Sequence, residues 1–224
     1  ARLAKAGCSG GNILSTGGWC LEMDPRPERA EVRGTITHAG GSHPVPNFHT
    51  QPSDRIVEEL KEMIQTEGIQ SINDFGAGVG QYKAAILKEY PYLTYNAYDG
   101  AGNVVDWTSG FVQYFDLTIP LALPKSDWVI SLEVGEHIPS RLEGMMIRNL
   151  HHHNCKGVIL SWGVFGQGGH GHVNIHSNDY VIDVFNNLGY IYDVEQANKF
   201  RAVDKAHSWF EKSVMVFRRR NPVC

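Results

Sequence analysis

The chain has 224 residues, 42% of them hydrophobic and 20% charged, with a formal net charge of -4 and a pI near 6.3. That is ordinary globular composition, long enough for one sizeable α/β domain and too short for two. It argues against a broad electrostatic footprint for nucleic acid, and no apolar run is long enough to cross a bilayer.

In chain order, residues 1–52 form a Gly- and Pro-rich lead-in with little periodicity (Gly10-Gly11, Gly17-Gly18, Pro25, Pro27, Gly40-Gly41, Pro44, Pro46). The lead-in also carries Trp19, Leu21, Met23, Val45 and Phe48, so it is expected to pack as an N-terminal cap or lid near the ligand, with 53–224 as the main domain. The start at Ala1, not at Met, fits a processed fragment from which a signal peptide or N-terminal anchor has been removed. Ser53 is a candidate N-cap, and apolar residues at helical spacing predict a helix over 53–66. A first strand over 70–75 precedes a helix over 79–89. A second strand over 93–98 ends in Asp99, and a third covers 111–115. The fourth, over 127–134, is a continuous apolar run suited to a central parallel strand. A helix over 140–151, a fifth strand over 157–162 and a helix over 177–187 closed by Gly189 follow, then a strand pair over 190–195 and 213–219. Strands alternating with helices predict a doubly wound α/β sheet.

Residues 72–80 read Ile-Asn-Asp-Phe-Gly-Ala-Gly-Val-Gly, an apolar strand ending at an acid and three alternate glycines. Open α/β sheets bind the nucleotide part of a cofactor at such a place. The spacing is G-x-G-x-G (Gly76, Gly78, Gly80) with Gln at 81, not the G-x-G-x-x-G that holds a pyrophosphate on a helix N-terminus. Asp74 would repel a pyrophosphate but can accept hydrogen bonds from a cationic amino-acid moiety. A plain Gly-rich turn is the alternative. Asp99, 25 residues after Asp74 and followed by Gly100, can take both hydroxyls of a ribose, a device that NAD enzymes share. Asp116-Leu117 follows the third strand.

The stretch Asp74–Gly80 resembles motif I of the class I S-adenosylmethionine-dependent methyltransferases. Leu132-Glu133-Val134-Gly135-Glu136-His137-Ile138-Pro139 resembles the E-V-x-E-H-I stretch that follows their fourth strand. With the Asp of the second strand, these fall in the family's order and spacing, over residues 53–219. The resemblance implies a seven-stranded, mostly parallel, Rossmann-like sheet of order 3-2-1-4-5-7-6 with strand 7 antiparallel. It also implies S-adenosylmethionine as cofactor, held by Asp74, Gly76, Gly78, Gly80, Asp99, Gly100, Asp116, Leu117 and Glu133. In that pattern Asp116 contacts the adenine amino group; a turn cap is its equal alternative. The implied fold brings Cys155, before strand 5, and Cys224, beyond strand 7, to one sheet edge, which makes a disulfide between them reasonable. Cys8 and Cys20 bracket a short Gly-rich loop that would benefit from a staple. Two such pairs favour an oxidising compartment; four free thiols in a cytosolic protein remain the alternative. Gly17–Leu21 (Gly-Gly-Trp-Cys-Leu) looks like the luminal, type II-anchored methyltransferase-like proteins of animals, which would put the chain in the Golgi lumen or outside the cell.

Methyl transfer from an activated donor needs the acceptor aligned and its proton managed, and histidine is the natural base near neutral pH. The segment Ser161–Asn174, after the fifth strand, is dense in candidates. His170, His172 and Asn174 alternate, so an extended backbone would send all three to one side as base, orienting partner and substrate contact. His172 is the first candidate base and His170 the second. His137 is the third, with loop packing at a helix start as its alternative. Trp162 and Phe165 are the candidate acceptor contacts, and His49, Gln51 and Ser53 are further lead-in candidates near the cofactor. A metal held by His170, His172 and Asn174 with Asp179 or Glu133 is weighed and set aside: Mg²⁺ prefers oxygen and no zinc-type spacing is present, so no metal is expected. His151–His153 reads as structural, at a helix end. The expected activity is O-methylation of a small-molecule or glycan hydroxyl. The rivals are an N-methyltransferase on a small amine or peptide, a nucleotide-dependent oxidoreductase, and a non-catalytic cofactor-binding module.

Overall fold

The computed structural model describes residues 8, 14–22, 32–46, 49–120, 122–203 and 205–224. Met23 and Phe48, expected to help pack the lead-in, and Gly10, Gly11, Pro25 and Pro27 lie outside the described residues. The lead-in contains an antiparallel hairpin, β1 (Val32–His38) and β2 (Gly41–Pro46). The main sheet has seven strands: β3 (Ser71–Phe75), β4 (Thr94–Asp99), β5 (Gln113–Tyr114), β6 (Ser126–Ser131), β7 (Asn154–Ser161), β8 (Tyr190–Tyr192) and β9 (Val214–Arg219). Their order is β5-β4-β3-β6-β7-β9-β8. The pairs from β5 through β7 are parallel, and β9 is antiparallel to both β7 and β8. Counted within this sheet alone, that is the expected order with an antiparallel seventh strand.

Among the described residues the helices are α1 (Asp54–Glu67), α2 (Gln81–Leu87), α3 (Val104–Trp107), α4 (Ser140–His152), α5 (Asn178–Asn187), α6 (Val194–Arg201) and α7 (Phe210–Ser213). Ser53 caps α1 by accepting from the Ile56 N–H, and Gly68, at φ 61°, closes it in the left-handed region. Ile56, Leu60, Met63 and Ile64 bury its apolar stripe. The central strands are sorted by period-2 alternation. Trp128 and Ile130 of β6, Ile159 of β7, and Val214 and Val216 of β9 share one core with α1 and α6. Val129, Val158, Leu160, Met215 and Phe217 share the other with α4 and α5. Both faces of the sheet are thus covered, which leaves its edges and strand ends as the places for a ligand.

The lead-in packs on the main sheet: Leu21, Ile36 and Val45 join Val79, Ala97, Val104 and Val112 in a third apolar cluster. The hairpin is not foreseen in the sequence, nor is α6, whose first residues are read there as the end of a strand. The Asp193 carboxylate accepts from the Gln196 N–H at 3.0 Å and starts that helix instead. Cys8–Cys20 and Cys155–Cys224 are both disulfide-bonded. In the histidine tract, His153 accepts from the Leu123 N–H at 3.1 Å and donates through Nδ1 to the Asn149 carbonyl at 2.7 Å, which closes α4.

Candidate active site

A cavity of about 400 Å³ opens at the carboxyl ends of β3, β4 and β6. It is lined by Asp74, Gly76, Gly78, Asp99, Gly100, Asp116, Leu117 and Glu133, eight of the nine expected cofactor positions. Gly80 is not among the lining residues: it is the residue before α2, at φ 83°, packed so tightly that an added Cβ would lie 2.8 Å from the Phe111 ring. Gly76, at φ 86°, brings the turn onto β6: an added Cβ would lie 2.2 Å from Val134 Cγ2.

The turn is tied to the neighbouring strand end. The Gly78 N–H donates to Asp99 Oδ2 and the Ala101 N–H to Oδ1, each at 2.8 Å. These two bonds orient the carboxylate and leave lone pairs on both oxygens for a ligand. Burial nevertheless pushes Asp99 up to about 6, with the two N–H donors holding it down in part. Asp74 is more extreme. Burial lifts it to about 7, although the Tyr95 hydroxyl donates to its Oδ2 at 2.9 Å; the nearby Asp99 adds to the rise. Buried Asp74 and half-buried Asp99 thus face one cavity, and the charge of Lys83 only partly offsets the rise at Asp74, an arrangement that favours a positively charged ligand. Asp116 takes the turn-cap role that the sequence leaves open: Oδ1 accepts from the Thr118 N–H at 2.9 Å and its hydroxyl at 2.6 Å. It still faces the cavity.

Residues 16–21 form one wall, including Trp19. The approach is close: an added Cβ on Gly17 would lie 2.3 Å from the His137 carbonyl, and one on Gly18 2.4 Å from that of Gly100. His49, Thr50, Pro52, Gln81 and Tyr82 also line the cavity. Of these, His49 is named in the sequence reading only as a lead-in candidate; Thr50 and Tyr82 are missed, having no motif to mark them. Burial lowers His49 to about 4, so it is neutral.

A second cavity, of about 350 Å³, adjoins the first and shares Thr50, Tyr82, Leu132 and Glu133 with it. His172 lines the second and His137 the first. Glu133 stands between them in a left-handed backbone conformation, φ 55°, which is strained for a residue with a Cβ. It is held there by its N–H on Ser161 Oγ (2.8 Å), the Gln167 amide on Oε2 (2.5 Å) and the Ser213 hydroxyl on Oε1 (3.2 Å).

The loop after β7 does not run extended. Gly171, at φ 76°, turns the chain, so His170, His172 and Asn174 do not share a side. His170 is exposed and packs its ring edge-on to Trp19. His172 sits edge-on to His137, centroids 5.0 Å apart. Asn174 is buried and donates to Glu143 Oε2 at 2.8 Å, while its carbonyl accepts from the Trp162 indole at 2.6 Å. Trp162 is 1% exposed, packed over Gly135. The expected acceptor contacts of Trp162 and Asn174 are therefore corrected: both hold the loop from within. Phe165 is 70% exposed and lines neither cavity.

The same loop builds a cluster that the sequence reading does not contain. The Val173 and Asn174 N–H groups both donate to the Glu136 carbonyl, at 2.8 and 3.0 Å. This seats His172 beside Glu136 and His137, with one ligand-type atom of each within 4.8 Å of the others. His137 Nδ1 lies 3.3 Å from the Gly171 carbonyl, so it carries the proton and Nε2 the lone pair. Burial and the neighbouring His172 lower its pKa and keep it neutral. Glu136 is fully buried, and neither carboxylate oxygen has a hydrogen-bond partner; His172 Nδ1 is buried and unpartnered as well. Burial and the charge of Glu133 hold Glu136 well above the usual carboxylate range.

No family model matches the chain, and no curated protein matches it in sequence. Solved structures do match. The magnesium protoporphyrin IX methyltransferase of Synechocystis, with bound S-adenosylhomocysteine, is 15% identical over 73% of this chain and 81% of its own, with a TM-score of 0.54. An amino pentose methyltransferase of Micromonospora echinaspora, with bound S-adenosylmethionine, is 9% identical over 74% and 90%, with a TM-score of 0.55. An O-methyltransferase from a polyketide synthase of Brevibacillus brevis is 16% identical over 75% and 71%, with a TM-score of 0.52. At these identities the likeness is one of fold, and the fold is the Rossmann-like one of class I methyltransferases.

Proposed function

We propose that this chain is an S-adenosylmethionine-dependent methyltransferase. One observation carries the reading. Two carboxylates, buried Asp74 and half-buried Asp99, lie at the ends of neighbouring parallel strands and line one cavity, with the G-x-G-x-G turn hydrogen-bonded to Asp99. Asp99 takes the ribose hydroxyls, Asp74 serves the cationic amino-acid end, and Asp116 and Leu117 border the adenine. The methyl group then points toward Glu133 and the second cavity, where the acceptor sits.

The acceptor atom is an oxygen. An amine needs only to be neutral, whereas a hydroxyl must lose a proton, and the group that faces the second cavity is His172. Its imidazole takes the hydroxyl proton. The oxygen forms the new bond to the methyl carbon as the carbon–sulfur bond breaks, and the electron pair left on sulfur cancels the sulfonium charge. The described parts of the lead-in, residues 14–22, 32–46 and 49–52, act as the cap over the cofactor. The two disulfides support an oxidising compartment, such as the secretory lumen, and there a glycan hydroxyl is the acceptor class most at hand.

Calorimetric titration tests this. S-adenosylmethionine and S-adenosylhomocysteine should bind and NAD should not. In an acceptor screen that starts with glycans, His172→Ala should lower kcat by roughly 10²-fold while leaving cofactor affinity unchanged. Binding of NAD alone would make the chain a nucleotide-dependent oxidoreductase; cofactor binding without turnover on any acceptor would make it a binding module.

A further inference from the structure

We propose that Glu136, His137 and His172 form a binding site for one divalent cation of the Mn²⁺, Co²⁺ or Zn²⁺ class, placed where the two cavities meet. Three independent features of the cluster lead there. The first is geometric: one ligand atom from each residue lies within 4.8 Å of the other two, the spread that a single ion can bridge.

The second is electrostatic. Glu136 is 0% exposed, and both its oxygens lack a donor. A buried carboxylate with no partner is costly. Protonation resolves it only in part: the proton can be shared with the Glu133 carboxylate, which leaves the other Glu136 oxygen without a side-chain partner. His172, the third member of the cluster, likewise has a buried ring nitrogen, Nδ1, without a partner. A cation answers all three orphaned atoms at once.

The third is orientation. Metal-binding imidazoles generally fix their tautomer by donating the other ring N–H to a carbonyl or carboxylate. His137 does this with the Gly171 carbonyl, which leaves Nε2 as its lone-pair nitrogen. Glu136 is presented on the 3-10 turn Gly135–His137, and its own carbonyl anchors the loop that carries His172. The three ligands are therefore positioned by the fold, before any ion arrives.

Two imidazoles and one carboxylate suit a borderline cation. Mg²⁺ would want oxygen throughout. Three protein ligands also leave coordination positions open, the pattern of reactive metal sites and not of closed structural ones. Two of the three, His137 and His172, line the cavities. The role of the ion rests on the methyl-transfer reading above. An acceptor hydroxyl bound to the ion loses its proton to water because the ion lowers its pKa. The oxygen then attacks the methyl carbon, and the carbon–sulfur pair stays on sulfur. His172 is in that case a ligand and not the base.

The test is calorimetric titration of chelator-stripped protein with MnCl₂, CoCl₂ and ZnCl₂. Wild type should take up one ion per chain, and Glu136→Gln and His172→Gln should each weaken binding at least about 10-fold. His152→Gln, in the exposed part of the histidine tract, should bind as wild type does. Ion-free Glu136→Gln should melt at or above the wild-type temperature, because it removes a buried carboxyl crowded by Glu133, so its lost affinity would not be lost folding. Folded wild type that takes up none of the three ions, or Glu136→Gln and His172→Gln that bind like wild type, overturns the site. A parallel titration with S-adenosylmethionine separates the two proposals. Cofactor binding without ion binding restores His172 as a free base. Ion binding without cofactor binding keeps the metal site and removes methyl transfer.

Discussion

Asp74 shows what the cofactor site costs the empty protein. In the unfolded chain its pKa is near the ordinary 3.8, and in the fold burial raises it to about 7. A raised carboxylate pKa means that the folded state holds its proton more tightly than the unfolded one. The contribution of this group to stability is therefore complete below about 3.8 and lost as the pH rises through about 7. Asp74→Asn keeps an acceptor for the Tyr95 hydroxyl and removes the buried charge. At pH 8 the ligand-free variant should melt higher than wild type, and the advantage should shrink as the pH falls from about 7 toward 3.8. Its affinity for S-adenosylmethionine should drop at pH 8, since a neutral amide is a poorer partner for the ammonium than the ionised carboxylate. Differential scanning calorimetry across that range, with titration of the cofactor at pH 8, checks both signs. A variant that is less stable at pH 8 would show that Asp74 is already balanced by charge in the empty protein. Glu133 is the other residue under load, a non-glycine in the left-handed region at the point where the two cavities join.

At the scale of elements, the parallel strands and their following turns are legible in the sequence because each is a local signal. An apolar run, an acid and glycines at fixed spacing occupy consecutive positions and need no tertiary information. The elements that go unread are those whose pattern is weak. In β1 and β2, Gly34, Gly41, Pro44 and Pro46 interrupt the alternation, and α6 buries only Ala197 and Phe200. The Glu136–His137–His172 cluster is unread for another reason: its members come from two segments 35 residues apart in the chain, joined by backbone bonds to the Glu136 carbonyl and by the turn at Gly171. The 3-10 turn that presents Glu136 and His137 depends in turn on Gly135, whose added Cβ would lie 2.4 Å from the Trp162 indole. Both are rigid, since Trp162 is buried and bonded through its indole N–H. Gly135→Ala should therefore lower stability by about 1–3 kcal/mol through overpacking. It should also weaken cation binding, because the turn has to move to make room. Unchanged melting with unchanged Mn²⁺ affinity would mean that the turn and the indole separate without consequence.

At the scale of the whole molecule, the two disulfides act on different things. Cys155–Cys224 ties the start of β7 to the chain beyond β9, far along the sheet from the cavity, and closes a separation of 69 residues. Cys8–Cys20 closes only 12 residues, but Cys20 lines the cofactor cavity and Gly17 and Gly18 press onto the backbone of His137 and Gly100. Loop entropy alone gives about 3 kcal/mol for the short closure and about 4 kcal/mol for the long one, a difference too small to tell them apart. Position decides the outcome. Replacing Cys155 and Cys224 by Ser should lower the melting temperature and leave the affinity of the folded protein for S-adenosylmethionine unchanged, because the cavity walls do not depend on that edge. Replacing Cys8 and Cys20 should weaken cofactor binding, because the wall of residues 16–21 is then held only by its own contacts. Melting curves and cofactor titrations on the two double variants give four readings. If the Cys8/Cys20 variant binds the cofactor as tightly as wild type, the wall is set by its glycine contacts alone, and the lead-in is a fixed part of the site with no need of its staple.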